Sequence, residues 1–368
     1  MNFKNIHDID LRYLSEITSN SRAFLSLYFN GIDNWNIESR KLQKIEVLLK
    51  KHPDELEHFK MNVKMLEKEL KNNAKYKLGS VAAFCCWAMD FCEVYALPVP
   101  VSNMTRIDSS PFIRPLAELN DDYESYAVVI TDNRSTKIFL VSSGVSSGVM
   151  KNIKGNIKNQ VKVGGWSQKR YSRRRDNQIH HYSKEIASEL VRMDKDETFN
   201  RILLVGSKET IKGIRSLLPP SIKNKEIIDK TIDLGRSEKE IKTEIDKLIG
   251  KLEVETEKNL WEKLKNELFQ GGLGVVGIDE VIRYAEEGRI DCAIIEKNLY
   301  ISGVRCRKCE HLQINMTQCS KCKSNNTFEV GIINELVELL TKSNAEIEFC
   351  EKIEELQILG GVGGLLRY

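Results

Sequence analysis

The chain has 368 residues and carries 56 Lys and Arg against 53 Asp and Glu, a formal net charge of +3 at pH 7. At roughly 150 residues per domain this length predicts two to three domains, and a composition of 41% hydrophobic and 30% charged residues excludes a wholly disordered or fibrous chain. Asp90 and Glu93 interrupt the apolar stretch 81–101 and the first residues are polar, so we expect neither a membrane-spanning helix nor a secretory signal.

Residues 1–142 have the pattern of an N-terminal α/β domain. The predicted elements, in chain order, are a strand at 24–29, helices at 36–51 and 54–76, a buried strand at 80–87, a proline-bounded strand at 96–101 and a helix at 115–120. Two β runs on either side of the turn sequence DNRS predict a hairpin at 126–141. We place the first domain boundary directly after this hairpin, at residue 142.

The remaining chain divides into a middle segment, 143–270, and a C-terminal segment, 271–368. The predicted elements are a strand at 201–207 leading into a helix near Lys208, a long helix at 237–270, a helix at 278–287, a strand at 292–300, a cysteine-rich insert at 304–326, a helix at 330–342 and a strand at 346–351. The apolar stripe of the long helix is typical of a packing face, because no heptad is sustained. We therefore predict a mixed α+β and α/β chain of three domains, the third being a small α/β domain with an inserted ribbon.

Four of the nine cysteines lie close together in the sequence. Cys306-x-x-Cys309 and Cys319-x-x-Cys322 are separated by nine residues, the arrangement of two metal-binding knuckles. Four thiolates complete a tetrahedral shell without an open position, so the cluster predicts a structural Zn²⁺, with His311 outside the ligand set. The alternatives are chance clustering and two redox pairs. The remaining cysteines are unevenly spread, which is not typical of a disulfide framework and favours a reducing cytoplasm.

The most basic part of the chain lies between residues 151 and 184, where ten Lys and Arg are accompanied by a single acidic residue, Asp176. Such a density of like charge repels itself unless it faces a polyanion. Trp166, Tyr171 and Tyr182 are interleaved with the cations, as stacking on nucleic-acid bases would require. The tract therefore indicates RNA contact, and the alternative is a solvated basic helix face.

Two glycine-containing segments have different interpretations. Gly164 and Gly165 would allow positive φ and close approach of the backbone to a ligand. GGVGGLLRY, at 360–368, has no following helix and no Lys-Ser or Lys-Thr, so we predict a turn into a final strand rather than a phosphate loop. The adjacent His180 and His181 are interpreted as surface or RNA-facing residues rather than as a general base.

Several of these segments together resemble the class-1 peptide release factors of archaea and eukaryotes and their bacterial, Pelota-related relatives. Residues 164–175, GGWSQKRYSRRR, resemble the family's middle-domain GGQ loop and the arginine-rich helix that follows it. Residues 277–295, GIDEVIRYAEEGRIDCAII, resemble the start of the third domain, and LGGVGGLLRY at 359–368 resembles the closing motif. SLYF, PLAEL and YAVVITD are similar to the first domain more loosely.

The resemblance implies a three-domain protein that enters the ribosomal A site and contacts ribosomal RNA and P-site peptidyl-tRNA. It implies a divergent decoding-type first domain, an RNase H-like middle domain that reaches the peptidyl transferase centre, and a third domain that binds a translational GTPase. It implies a cytoplasmic location, and neither a membrane nor DNA is an expected partner.

The resemblance also implies roles for particular residues. For hydrolysis of the peptidyl-tRNA ester it implies an active loop of Gly164, Gly165 and Gln168, because Trp166 occupies the family's glutamine position. The residues expected to hold ribosomal RNA are Trp166, Lys169, Arg170, Arg173, Arg174 and Arg175. In the decoding domain, Asn36-Ile37-Glu38-Ser39 is the best match to the family's NIKS motif, and Glu38 replaces a lysine beside mRNA. We therefore expect action on the ribosome that does not depend on a stop codon.

Three functions stay open on the sequence. The first is ester hydrolysis in translation termination or ribosome rescue, with water positioned by the loop. The second is a non-catalytic rescue or hibernation factor of the Pelota type, which Trp166 favours. The third is a soluble RNA-processing protein unconnected with the ribosome.

Overall fold

The computed structural model describes residues 4–5, 9–19, 21–31, 35–72, 80–97, 99–122, 126–132, 135–142, 145–146, 151–154, 166–196, 199, 201–231, 238–314 and 318–368. The chain forms two compact units, one made of Met1–Glu118 with Asn259–Tyr368 and the other of Leu119–Lys258. Both units combine helices with β-sheet, which confirms the predicted mixed α/β class. None of the helices within the described ranges is long and apolar enough to cross a membrane.

The N-terminal part of the first unit is a sheet covered by helices. Its elements are β1 (Lys4–Asn5), α1 (Leu11–Glu16), β2 (Phe24–Asn30), α2 (Trp35–Leu48), α3 (Pro53–Asn72), β3 (Ser80–Cys86), β4 (Phe91–Leu97), β5 (Met104–Asp108) and α4 (Arg114–Asp122). The strand order is β1-β4-β3-β2-β5. Alternate residues of β2, Leu25, Leu27 and Phe29, pack against Leu42 of α2 and Leu66 of α3. The predicted first strand and the two polar helices are therefore confirmed.

The predicted strand at 96–101 is displaced in the structure. β4 begins at Phe91 and ends at Leu97, and it pairs antiparallel with β3 along its whole length. The prolines at 98 and 100 have no N–H to donate to a ladder, so the hydrogen-bonded pairing uses the residues before them.

The second unit is a mixed sheet with helices on both faces. Its elements are β6 (Tyr126–Thr131), β7 (Ser135–Ser142), β8 (Val145–Ser146), β9 (Lys151–Lys154), α5 (Trp166–Asp196), β10 (Arg201–Gly206), α6 (Lys208–Leu217), α7 (Pro220–Lys223), β11 (Glu226–Lys230) and α8 (Glu238–Phe269), whose last residues belong to the first unit. The strand order is β11-β10-β6-β7-β8, and β9 pairs with β7. Ile186 and Leu190 of α5 pack in one core cluster, and Ile245 and Ile249 of α8 pack in the other.

The compact units of the structure divide the chain at a different place from the first domain boundary predicted at residue 142. β6 and β7 form the predicted hairpin, but β6 also pairs in parallel with β10 along its whole length. A boundary at 142 would separate the hairpin from the sheet to which it is hydrogen-bonded. The second unit begins instead at Leu119.

The second boundary also differs from the predicted position at 270. The division between the two units falls inside α8, between Lys258 and Asn259. The cause is that Ile245 packs in the core of the second unit, whereas Trp261 packs in the core of the first. The predicted first and third domains together form one compact unit.

The C-terminal part of the first unit is a second sheet with an insert. Its elements are β12 (Gly274–Val276), α9 (Ile278–Glu286), β13 (Ile290–Glu296), β14 (Ser302–Cys306), β15 (Leu312–Gln313), β16 (Thr327–Gly331), α10 (Ile332–Lys342), β17 (Glu346–Cys350), α11 (Glu354–Ile358) and β18 (Val362–Leu366). The main sheet has the order β12-β18-β13-β17, and the insert forms a separate sheet with the order β15-β14-β16. The helix and strand order predicted for this segment is confirmed.

The glycines near the end of the chain form the turn into the last strand and allow its close packing. Gly360 and Gly361 have φ of +99° and +74° and form the turn that leads into β18. Inside β18, a Cβ on Gly363 would lie 2.9 Å from the Leu264 side chain. The predicted glycine turn into a final strand is therefore confirmed.

Buried polar groups join the N-terminal part of the first unit to α10. The Ser110 hydroxyl donates to Glu338 Oε1 at 2.6 Å, and the Asn334 amide donates to the same oxygen at 2.8 Å. Next along the helix, Glu335 accepts from Arg305 at 2.8 Å, and both side chains are buried. Burial raises the pKa of Glu338 and raises that of Glu335 to about 7. The Ser110–Glu338 hydrogen bond therefore joins two sequence-distant segments within one unit, and the Arg305–Glu335 pair joins β14 to α10.

Candidate functional site

The four clustered cysteines converge at one end of the insert. Their sulfur atoms all lie within 4.8 Å of one another, with Cys306 Sγ and Cys322 Sγ 3.5 Å apart and Cys309 Sγ and Cys319 Sγ also 3.5 Å apart. A tetrahedral shell with metal–sulfur bonds of about 2.3 Å requires sulfur–sulfur separations of about 3.8 Å. The thiols therefore stand close to the required geometry, and the cluster could hold a metal ion.

The two cysteine knuckles fold in the same way. In the first, the N–H of Glu310 donates to Cys306 O at 2.8 Å, and in the second the N–H of Lys323 donates to Cys319 O at 2.9 Å. Glu310 and Lys323 both have φ of +58°. Within each knuckle a backbone N–H also donates to the first thiol, at 3.4 and 3.5 Å. Because the same turn occurs in both knuckles, the two cysteine pairs are suited to bind one ligand together.

The backbone of the knuckles favours the thiolate form. Desolvation acts to raise the pKa of Cys306, but the N–H groups of Cys309 and Lys308 and the neighbouring thiols outweigh it and lower that pKa to about 6. The N–H of Cys322 likewise lowers the pKa of Cys319. At Cys309 a backbone N–H also acts to lower the pKa, but burial and the neighbouring thiols outweigh it and raise that pKa to about 12. Thiolates are the form of cysteine that binds metal, so the backbone donors favour that form at the first cysteine of each knuckle.

His311 lies outside the cysteine cluster, as predicted, but it has a structural contact that the sequence did not suggest. Its Nδ1 lies 3.0 Å from Glu286 Oε1, and its Nε2 lies 3.0 Å from Ser320 Oγ. Glu286 also accepts from the Leu312 N–H at 3.1 Å. The last residue of α9 thus fastens the insert to the domain. An acidic residue at a helix end gives no sequence signal for this role.

The helix that follows the glycine pair begins inside the segment predicted to be the active loop. α5 begins at Trp166, so Trp166 and Gln168 lie in its first turn rather than in an extended GGWSQ loop. Gly164 and Gly165 lie outside the described residues. The helix starts directly after the glycine pair because Gly disfavours helix whereas no residue from Trp166 onward interrupts it.

The start of α5 is electrostatically unfavourable for an isolated helix. The helix N-terminus carries the positive end of the macrodipole, yet its first turn contains no acidic residue and the arginine run follows at once. Of the basic side chains that the structure describes in this stretch, Arg173 and Lys184 are exposed. His180 and His181 are exposed as well, in agreement with a surface role. A helix N-terminus flanked by cations is a favourable site for phosphate groups.

Tyr182 is a core residue, so its assignment as a stacking residue is wrong. Its side chain is 5% exposed, and its Oη lies 2.7 Å from Thr136 Oγ1 of β7. Burial raises its pKa. Ile179, Tyr182 and Ile186 recur at helical spacing, and this period could have identified the buried face.

The segment matched to the decoding motif is used for structure. Asn36 to Ser39 form the start of α2, and the Glu38 side chain is almost wholly buried. Glu38 Oε1 accepts from Lys41 Nζ at 2.7 Å and from Asn103 Nδ2 at 2.8 Å. The carboxylate is therefore neutralised inside the fold, which corrects the expectation of a negative charge presented to mRNA.

Fold and sites define a multidomain α/β protein with a four-cysteine insert and a long helix that starts in a basic segment. Residues 111–245 match the family described as "Bacterial archaeo-eukaryotic release factor family 10", and residues 254–368 match "eRF1 domain 3". Both matches lie within the archaeal and eukaryotic release-factor family, which confirms the resemblance predicted from the motifs.

The chain is also similar to individual proteins. The chain is 26% identical to peptide chain release factor subunit 1 of Archaeoglobus fulgidus over 298 residues, which cover 74% of this chain and 72% of that protein. It is 30% identical to the protein of the same name from Methanococcus maripaludis strain C5, over 60% of this chain and 56% of that relative's length. Among solved structures, S. cerevisiae Dom34 is similar, with 16% identity, coverage of 76% and 74%, and a TM-score of 0.41.

Proposed function

We propose that this protein acts in the ribosomal A site, in translation termination or ribosome rescue. The observation that carries the proposal is the pair of release-factor family matches, which follow one another along the chain over 111–245 and 254–368. The partners that follow are ribosomal RNA, P-site peptidyl-tRNA and a translational GTPase that binds the third domain. Action on ribosomes assigns the protein to the cytoplasm.

We assign the second unit to the RNase H-like middle domain of the family. A mixed sheet with α5 and α8 in its two core clusters supports this assignment. The start of α5 would face RNA, with contacts from Trp166, Lys169, Arg170, Arg173, Arg174 and Arg175. Exposure of Arg173 and the positive end of the helix dipole support contact with phosphates.

In its catalytic form, the proposed reaction is hydrolysis of the ester between nascent peptide and tRNA. A water oxygen attacks the carbonyl carbon, the bond to the tRNA 3′ oxygen breaks, and a proton from the water passes to that oxygen. Gly164 and Gly165 would let the backbone approach the ester, and Gln168 would orient the water. The positive end of α5 would stabilise the negative charge that develops on the carbonyl oxygen.

The start of α5 favours a second candidate function, non-catalytic binding of the Pelota type. Trp166 occupies the family's glutamine position, and Gln168 lies within regular helix. In this form, the protein occupies the A site and leaves the ester intact.

A peptidyl-tRNA release assay on purified ribosome complexes distinguishes these two functions. Catalysis predicts release by the wild type and loss of release, with intact ribosome binding, in Gln168→Ala. Asn177→Ala, which removes an exposed amide further along α5, should release peptide at the wild-type rate. Binding without release by the wild type supports the Pelota-type function. Unchanged release by Gln168→Ala would contradict the catalytic assignment.

We also propose that Cys306, Cys309, Cys319 and Cys322 hold a structural Zn²⁺. The sulfur separations and the N–H donors to the thiols support a closed four-sulfur site. Bound zinc would organise the ribbon insert at 304–326, whose sheet is too small to have an extensive apolar core. No step of the proposed reaction uses the metal.

A further inference from the structure

A second pair of thiols lies far from the ribbon in sequence, in the N-terminal sheet. Cys85 of β3 and Cys92 of β4 are directly opposite one another in the antiparallel register. Directly opposite residues project from the same face of a sheet, and their two sulfur atoms lie 2.6 Å apart. This separation is shorter than the roughly 3.5–4.0 Å of optimal non-bonded contact between carbon atoms, and sulfur is larger than carbon. The separation is longer than the roughly 2.05 Å of a disulfide bond.

The surroundings of the pair give its members different access to solvent. Cys85 is fully buried with Leu27 and Leu66 in the core beneath α3, whereas Cys92 is half-buried at the margin of that core. The hydrogen bond with Cys92, together with burial, raises the pKa of Cys85 and keeps it a neutral thiol. A small oxidant therefore meets Cys92 first and finds Cys85 directly behind it.

The neighbouring Cys86 is excluded from this pair by the alternation of the strand. Its side chain lies on the opposite face of the sheet, where it packs with Ala23 and Phe24. Metal binding is excluded at the pair for a different reason. Within the described ranges, three or more metal-binding groups converge only at the ribbon cysteines, so two thiols in an apolar core lack the further ligands that a metal requires.

We propose that Cys85 and Cys92 are an oxidation site at which a hydroperoxide produces a cross-strand disulfide. The Cys92 thiol gives its proton to water, its sulfur attacks a peroxide oxygen and the O–O bond breaks, which leaves Cys92 as a sulfenic acid. The departing alkoxide or hydroxide takes a proton from water and leaves as an alcohol or as water. The Cys85 sulfur then attacks the sulfenic sulfur, the S–S bond forms and the S–O bond breaks. The proton of Cys85 passes to the departing hydroxide, which leaves as water. Two electrons pass from the two sulfurs to the peroxide.

Proximity compensates for the low nucleophilicity of the neutral Cys85. The two sulfurs are already closer than a non-bonded contact, so the second step requires no search by the chain. The product would join β3 to β4 across the turn formed by Trp87–Met89 and would clamp the sheet beneath α3.

Mass spectrometry of the full-length protein tests the proposal. The protein is treated with hydrogen peroxide, its free thiols are alkylated, and it is digested with trypsin. Cys85, Cys86 and Cys92 stay in one peptide, because no Lys or Arg lies between Lys77 and Arg106. We expect this peptide to lose two hydrogens and to carry one alkyl group. Chymotryptic cleavage after Trp87 should then give two fragments that separate only on reduction.

Two variants make the assignment specific. Cys86→Ser should form the link to the same extent as the wild type, and Cys92→Ser should abolish it. A thermal unfolding curve of each variant first establishes that it is folded, and the oxidation products of the two variants are then compared. Three alkylated thiols in the peroxide-treated wild-type peptide, or a link that includes Cys86, would overturn the proposal.

Discussion

The third domain and the start of α5 differ in whether their charged side chains are buried with partners or exposed. In the third domain Arg305, Glu335 and Glu338 are buried and have partners within the chain. The first cysteine of each ribbon knuckle, Cys306 or Cys319, accepts a hydrogen bond from a backbone N–H. At the start of α5 the first turn carries no acidic residue and Arg173 is exposed. The charged groups of the first region stabilise the fold, and those of the second are available to bind another molecule. Substitutions should therefore alter stability in the third domain and binding in α5.

The largest effect is expected in the cysteine ribbon. Cys309→Ser removes one of four thiolates, so the variant should lose its metal ion and the insert should unfold locally. Elemental analysis should find one zinc per chain in the wild type and much less in the variant. Amide hydrogen exchange should report lost protection at 304–326. Cys292→Ser, which lies outside the cluster, should keep the metal, and a metal-free wild type with an ordered ribbon would refute the assignment.

The buried ion pair between Arg305 of β14 and Glu335 of α10 should have the next largest effect. Glu335→Ala leaves Arg305 buried without its partner, which should destabilise the protein by about 3–5 kcal/mol in denaturant unfolding. The control is Glu16→Ala, because the Arg12–Glu16 pair is 3.4 Å long with side chains 55% and 58% exposed. That change should cost less than about 1 kcal/mol. Equal effects of the two substitutions would remove the distinction between buried and exposed charge.

The buried carboxyls of α10 should make stability depend on pH. Burial raises the pKa of Glu335 to about 7 and raises that of Glu338, so the folded state binds more protons than the unfolded state above pH 4.5. Stability should therefore decline by a few kcal/mol at most as pH rises from about 4.5 to 7. Glu338→Gln should make the decline shallower when unfolding is followed across this range. If stability increases over the same pH interval, the pKa values of Glu335 and Glu338 are not raised in the folded state.

The arginine run should affect binding with little change in stability. Replacement of Arg173, Arg174 and Arg175 by Ala should weaken ribosome binding and reduce its salt slope by about 3, because each phosphate contact releases counterions. Lysine at these positions should rescue only part of the loss. Replacement of Lys247, Lys251 and Lys258, exposed on α8, gives a control with the same change of charge. The same salt slope in both triple variants would show that the start of α5 is a solvated face.

The sequence predicts best what depends on residues close together in the chain. The period of apolar residues gives α8, and the spacing of the CxxC pairs gives the cysteine cluster. The pairing of β6 with β10 joins distant segments, so no local pattern could place the hairpin in the second unit. Burial of Glu38 depends likewise on Asn103, which lies far along the chain. The sequence therefore suggests the chemistry of the cysteine cluster, but it does not show which charged residues are buried and paired within the fold.

Ribosome binding at defined A-site states tests the central claim most directly. The buried Glu38 carboxylate pairs with Lys41 and accepts a hydrogen bond from the Asn103 amide, so the segment matched to the decoding motif offers no free charge for reading a codon. Affinity should be measured on ribosomes with a stop codon, a sense codon and an empty A site. We predict binding in all three states with affinities within about ten-fold, or roughly 1.4 kcal/mol. A larger preference for the stop codon would indicate a termination factor, and no binding to any of the three would contradict action on the ribosome.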